Sequence, residues 1–99
     1  MTNAVIETVT FGPEASRIES TTVVCGGARA ELEIAKHDAS RSENRIRRTG
    51  KTVVRWSVRK NEGSLWRTYK ATFATVEAAR AFAAAKLPVI VKWAEGALA

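Results

Sequence analysis

Residues 51–60 and 65–73 alternate between apolar and polar side chains on either side of a short turn that contains Gly63. A period of two is typical of strands in an antiparallel sheet that buries one of its faces. The predicted inner face carries Val54, Trp56, Val58, Tyr69, Ala71 and Phe73. The predicted outer face carries Arg55, Arg59, Trp66, Thr68, Lys70 and Thr72. This hairpin therefore indicates which side of the sheet forms the core.

Three further strands are predicted upstream, over residues 4–11, 18–25 and 28–36. These segments are rich in β-branched residues or alternate apolar with acidic side chains. Gly26-Gly27 separates the last two and predicts a two-residue hairpin turn, because both central positions can take a positive φ. A helix is the rival prediction for the third segment, which is rich in helix formers.

A helix is predicted over residues 76–86, with Thr75 as its N-cap and an alanine-rich stripe that allows close packing on the sheet. Pro88 is expected to end this helix. For residues 88–99 the sequence favours a second helix over a strand, because Pro88 suits a first helical position. The predicted fold class is therefore α+β, a mainly antiparallel sheet of about five strands with one or two C-terminal helices packed on one face.

The 99 residues are expected to form one domain with three regions. Residues 1–36 form an acidic strand region, residues 37–51 a basic loop, and residues 52–99 a hairpin plus helix region. The loop prediction follows from polar, small and basic residues without a strand period, and a helical turn starting near Ser40 or Ser42 is its alternative.

Positive charge is concentrated between residues 41 and 70, where ten Lys and Arg and two Glu give a formal charge of +8. The whole chain carries +6, and residues 1–40 carry −3 because six acids outnumber three bases. A localised positive field attracts a polyanion or an acidic protein surface. The alternative is a solvated basic face that has no binding role.

Two sets of residues are predicted to contact nucleic acid. Lys and Arg neutralise phosphates, hydroxyl groups donate to phosphate oxygens, and a tryptophan can stack on a base or a sugar. On the outer face the predicted contacts are Arg55, Arg59, Trp66, Thr68 and Lys70. In the loop they are Arg45, Arg47, Arg48 and Lys51, which would follow a phosphate backbone or a groove.

No enzymatic activity, cofactor or metal site is predicted. His37 and Asp38 lack an assignable third catalytic group. Cys25 is predicted to be a small buried apolar residue, and Glu31 and Glu33 share a strand face without a second acidic pair to complete a metal site. The single cysteine, the absence of a membrane-length apolar run and an N-terminus unlike a signal peptide predict a soluble, cytoplasmic protein that contacts no membrane.

The segment VRWSVRKNEGSLWRTYKATFATVEAARAFA resembles the last two strands and the helix of the small three-stranded DNA-binding domains. These domains occur in plant Apetala-type transcription factors and as the arm-binding domains of tyrosine recombinases. The resemblance spans residues 52–86, about a third of the chain. It implies a sheet that lies in a DNA major groove, with Arg55, Arg59, Trp66, Thr68 and Lys70 as the contacts.

The favoured hypothesis is a small non-enzymatic nucleic-acid-binding protein, with duplex DNA as the preferred partner. The alternative is a small protein-interaction module, such as a phage-type inhibitor or adaptor. Its basic face would bind an acidic protein or occupy the nucleic-acid site of a partner. A chain with a thin core and exposed strand edges is also compatible with a homodimer or a structural subunit.

Overall fold

The computed structural model describes residues 4–36, 39–42, 45–48 and 52–96, with residues 39–42 and 45–48 described by their backbone alone. In chain order the elements are β1 (Val5–Thr10), β2 (Arg17–Cys25), β3 (Ala28–Ala35), β4 (Ala39–Ser42), β5 (Arg45–Arg48), β6 (Thr52–Arg59), β7 (Arg67–Phe73) and α1 (Val76–Gly96).

The main sheet has five strands in the order β1-β2-β3-β6-β7, and every neighbouring pair is antiparallel. β1, β2 and β3 follow one another along the chain and lie side by side, as do β6 and β7, which is the usual result of hairpin connections. α1 packs on one face of the sheet, against β2, β3, β6 and β7. The α+β class with an antiparallel sheet and a C-terminal helix is thus confirmed.

The turn between β2 and β3 consists of Gly26 and Gly27, and Cys25 pairs with Ala28 on either side of it. Of these two glycines only Gly26 has a positive φ, of 60°. A positive φ at the first central position alone is the pattern of a type II′ turn, whose twist matches that of the flanking strands. The predicted hairpin is confirmed, but only one of its two glycines uses the conformational freedom that was expected of both.

The core lies between α1 and the inner face of the sheet. From the helix it contains Ala79, Ala83, Ile90 and Ala94, and from the sheet Val23, Cys25, Ala28, Ala30, Leu32, Ile34 and Val54. The small helix residues allow the helix axis to approach the strands closely. Over β6 and β7 aromatic rings fill the space between the sheet and the helix. Trp56 stacks on Tyr69 and also contacts Phe82, at centroid distances of 5.6 and 5.5 Å.

The helix begins where the sequence indicates. The backbone N–H of Ala78 donates to Oγ1 of Thr75 over 3.1 Å, and Glu77 lies in the first turn. These are an N-cap hydrogen bond and a carboxylate placed favourably against the helix dipole. The predicted N-cap is confirmed.

The prediction that Pro88 ends the helix is wrong. α1 is continuous from Val76 to Gly96 with Pro88 inside it. Proline removes one backbone hydrogen bond and crowds the preceding turn, at a cost of about 3 kcal/mol. Burial on both sides of the proline offsets that cost, since Ala83 before it and Ile90 after it lie in one buried stripe while Pro88 itself is exposed.

The loop prediction for residues 37–51 also differs from the structure over residues 39–42 and 45–48, the part of this range that is described. β4 and β5 pair as an antiparallel hairpin with Ala39 opposite Arg48 and Ser42 opposite Arg45, so the helical turn near Ser40 or Ser42 is not formed. Two strands of four residues are too short for a period of two to be recognised, which explains why no strand was predicted there. This hairpin is inserted between β3 and β6, which pair with each other in the main sheet.

Candidate nucleic-acid interface

The register of β6 and β7 places the predicted outer residues together on the sheet face that lies opposite α1. Arg55 pairs with Lys70 and Ser57 with Thr68, while Val54 and Trp56 of the other parity face the helix. Arg59 ends β6 and Trp66 directly precedes β7. The basic patch, as we call this group, consists of Arg55, Arg59, Trp66, Thr68 and Lys70.

One corner of the basic patch is a stacked pair. The guanidinium carbon of Arg59 lies 4.9 Å from the ring centroid of Trp66, within the range of a cation–π contact. Trp66 remains 41% exposed. Nε of Arg59 is buried and finds no hydrogen-bond acceptor among the described residues, so the ring contact holds this side chain in place. The pair presents a positive charge and an aromatic surface side by side.

A carboxylate at the centre of the outer face forms ion pairs that were not predicted. Glu33 on β3 accepts a hydrogen bond from Nη1 of Arg55 over 3.2 Å, and its other oxygen lies 3.7 Å from Nη1 of Arg17. Glu33 is three-quarters buried and Arg55 about two-thirds buried. Arg55 is therefore part of a three-residue ion-pair network rather than a freely extended side chain. Arg17 also lies on this face, which was not predicted.

The outer face is divided by charge. On the β6–β7 side its charged members are Arg55, Arg59 and Lys70, without an acidic residue on either strand. On the β1–β3 side Glu7, Glu31 and Glu33 alternate with Arg17 and Arg29. Arg29 and Glu31 form a further ion pair, with Nε 3.6 Å from Oε1. Positive potential is thus concentrated over the last two strands of the sheet.

A row of polar groups crosses the middle of this face. Thr22, Glu31, Ser57 and Thr68 are successive neighbours across β2, β3, β6 and β7. The hydroxyls of Ser57 and Thr68 are hydrogen-bonded to each other at 2.9 Å. Between β2 and β6 the face forms a shallow depression of about 190 Å³, which contains the Glu33 network. On β6 and β7 the hydroxyls of Ser57 and Thr68 lie among the cations of the basic patch, an arrangement suited to phosphate oxygens.

The structure describes the predicted contacts of the basic loop only in part. Arg45, Arg47 and Arg48 lie on β5, for which the backbone is described, and Lys51 lies outside the described residues. His37 and Asp38 also lie outside them. Cys25 is buried in the core, as predicted.

Within the described residues no three His, Cys, Asp or Glu side chains come together in a way that could hold a metal ion. The described part of the chain also contains no helix long and apolar enough to span a membrane. No protein-family model, curated protein or solved structure matches this chain. Its function must therefore be inferred from the chemistry of the surfaces described above.

Proposed function

We propose that this protein is a small non-enzymatic, cytoplasmic nucleic-acid-binding protein that binds duplex DNA through the basic patch. The observation that carries the proposal is the grouping of three cations, a threonine hydroxyl and a half-exposed tryptophan on the two strands of the outer face that lack acidic residues. The cations would neutralise backbone phosphates, and the hydroxyl would donate to a phosphate oxygen.

Duplex DNA is favoured over a single strand because of the aromatic content of the patch. Proteins that bind single strands use several rings on which successive bases stack. The β6–β7 part of the outer face has one ring, that of Trp66, and this ring already contacts Arg59. A pair of twisted strands is narrow enough to enter a major groove.

The charge division of the outer face would orient the DNA. Glu7, Glu31 and Glu33 on the first three strands repel phosphates, whereas Arg59 and Lys70 attract them. The duplex would therefore lie over β6 and β7 rather than across the whole sheet. The β4–β5 hairpin, with Arg45, Arg47 and Arg48, supplies a second basic segment for the same backbone.

Fluorescence anisotropy with labelled duplex DNA, single-stranded DNA and duplex RNA, each over a salt series, tests this proposal. With three to seven phosphate contacts, the logarithm of the duplex DNA affinity should fall against the logarithm of salt with a slope of about −3 to −6. Duplex DNA should bind most tightly of the three. Weak and equal attraction to all three at physiological salt would contradict the proposal and would favour a protein partner for the same face.

Glu33→Gln is expected to strengthen duplex binding about threefold or more, because it removes a negative charge and allows Arg17 and Arg55 to reach phosphates. The substitution keeps the shape of the side chain and one of its two acceptor oxygens. Glu31→Gln is the matched control, since it removes the same charge from the same strand face at a residue that forms an ion pair with Arg29. Equal effects of the two changes would argue against Arg55 as a DNA contact, and weaker binding by Glu33→Gln would mean that the ordering of Arg55 by Glu33 outweighs the charge that it cancels.

A further inference from the structure

An open groove lies beside the turn between β6 and β7, on the side of the sheet that carries α1. It has a volume of about 650 Å³, and its aromatic lining comes from Trp66, Tyr69 and Trp93. Leu65, which also lines it, is 90% exposed. Clustered apolar side chains beside a concave site mark a binding surface. We call this feature the edge groove, because β7 is the last strand in the sheet order.

Tyr69 presents an open ring face to the edge groove. Its ring stacks on the ring of Trp56, with centroids 5.6 Å apart and an angle of 19° between the planes. Trp56 lies on β6, so it covers the face of the tyrosine ring that points towards the middle of the sheet. Tyr69 is nevertheless 45% exposed, because its other face points to the edge of β7, where the described residues supply no further strand. A ring that is supported on one side and open on the other can stack with another flat ring.

The charged side chains of the edge groove are cations. Lys60 and Arg67 contribute to the lining and are exposed, and among the described residues no acidic side chain lines the groove. Arg67 pairs with Val58, which packs against the core, so Arg67 lies on the helix side and is not part of the basic patch. Aromatic rings beside cations are the two components with which proteins bind unpaired nucleotides, since bases stack on the rings and phosphates lie beside the cations.

The edge groove is continuous with the basic patch through Trp66. This residue lines the groove, and its ring also carries the guanidinium group of Arg59 at 4.9 Å. The basic patch offers cations and a hydroxyl with a single ring, which suits the backbone of a duplex. The groove offers several rings with cations, which suits bases that have left the stack of a duplex. A duplex on β6 and β7 that ends near the turn would place its unpaired strand end beside Trp66, at the entrance of the groove.

We infer that the edge groove binds unpaired nucleotides that continue from the end of a duplex held on the basic patch. The preferred ligand is then a DNA duplex with a single-stranded overhang. This inference rests on the proposed function and deepens it. A base of the overhang stacks on the open face of Tyr69 and contacts Leu65 and Trp93. The phosphates of the overhang lie beside Lys60 and Arg67.

Fluorescence anisotropy compares a blunt, fluorescein-labelled hairpin duplex with the same duplex that carries an overhang of about four thymidines, at the 3′ or at the 5′ end. We expect the overhang of at least one polarity to strengthen binding about tenfold or more. An abasic overhang of the same length keeps the phosphates but has no bases. It should bind at least about fivefold more weakly than the thymidine overhang, because stacking of a single base contributes about that factor.

The variants locate the stacked base. Tyr69→Leu should remove most of the difference between the thymidine and abasic overhangs, whereas the matched control Tyr69→Phe keeps the ring and should retain it. Binding of the blunt duplex should change less than about twofold in both variants, since Tyr69 lies on the helix side of the sheet. Leu65→Ser changes a side chain that is already exposed, so it leaves the core intact, and it should weaken overhang binding about threefold or more.

The outcomes separate this inference from the proposed function. If the blunt duplex binds and neither overhang strengthens binding, the inference is overturned and the proposed function stands. If no DNA binds, both are overturned. Equal binding of the thymidine and abasic overhangs, or an unchanged difference between them in Tyr69→Leu, also overturns the inference. So does self-association in sedimentation that Leu65→Ser abolishes, since a second copy of the chain would then fill the groove.

Discussion

The double charge reversal Arg59→Glu/Lys70→Glu is expected to weaken duplex DNA binding by about a hundredfold or more at 0.1 M salt. Each substitution removes one protein cation that would neutralise a backbone phosphate, and it places a carboxylate next to that phosphate instead. The salt dependence should become weaker together with the affinity. The slope of the logarithm of the affinity against the logarithm of salt should lose about one unit of magnitude for each phosphate that is no longer neutralised. Anisotropy titrations over a salt series measure both quantities on the same samples.

The matched control is Arg80→Glu/Lys92→Glu, which makes the same change in net charge on α1. Arg80 forms an ion pair with Glu19 at 3.2 Å, and Lys92 is exposed. Both lie on the helix, which packs on the sheet face opposite the basic patch. If binding depended on net charge alone, the two double variants would weaken it equally. That result would contradict a contact surface on β6 and β7.

The faces of β6 and β7 could be predicted because a period of two fixes them. Once Val54 and Trp56 are assigned to the core, Arg55 and Arg59 must point to the other side, whichever strands are neighbours. The register confirmed this division for the residues that pair between β6 and β7, whereas Trp66 precedes β7 and also lines a groove beside Trp93 of the helix. The N-cap at Thr75 was predictable for a similar reason, since it depends on local hydrogen bonding alone.

The Glu33 network could not be predicted, because it depends on pairing between strands that are distant in sequence. Glu33 was correctly placed on the same strand face as Glu31. Nothing in its neighbourhood indicated that Arg55 would lie beside it, since β3 and β6 are separated by the β4–β5 hairpin. An outward acid on one strand and outward bases on another were nevertheless a signal for cross-strand ion pairs.

The acidic residues on the β1–β3 side of the outer face limit the area that can bind phosphate. Glu33 holds Arg55 and Arg17 close to the sheet, which fixes the guanidinium groups before any ligand arrives. Side chains that are already ordered lose less conformational entropy on binding. The same carboxylate reduces the positive charge at the centre of the face. Glu33 would therefore lower affinity for phosphate while improving the geometry of the contacts, and the gain in affinity expected for Glu33→Gln requires the charge effect to be the larger of the two.

Ile90→Ala is expected to lower the free energy of unfolding by about 2–4 kcal/mol, because it leaves a cavity between α1 and the sheet. Ile90 is 3% exposed and belongs to the main core, beyond the proline within the helix. Thermal unfolding followed by circular dichroism should show a midpoint lower by about 10 °C or more for a domain of this size. The neighbouring Val89→Ala is the control, since Val89 is 58% exposed and its truncation should cost less than about 0.5 kcal/mol. Equal and small effects of the two substitutions would mean that the helix beyond Pro88 contributes little to the core. Burial after the proline would then no longer explain why the helix continues through it.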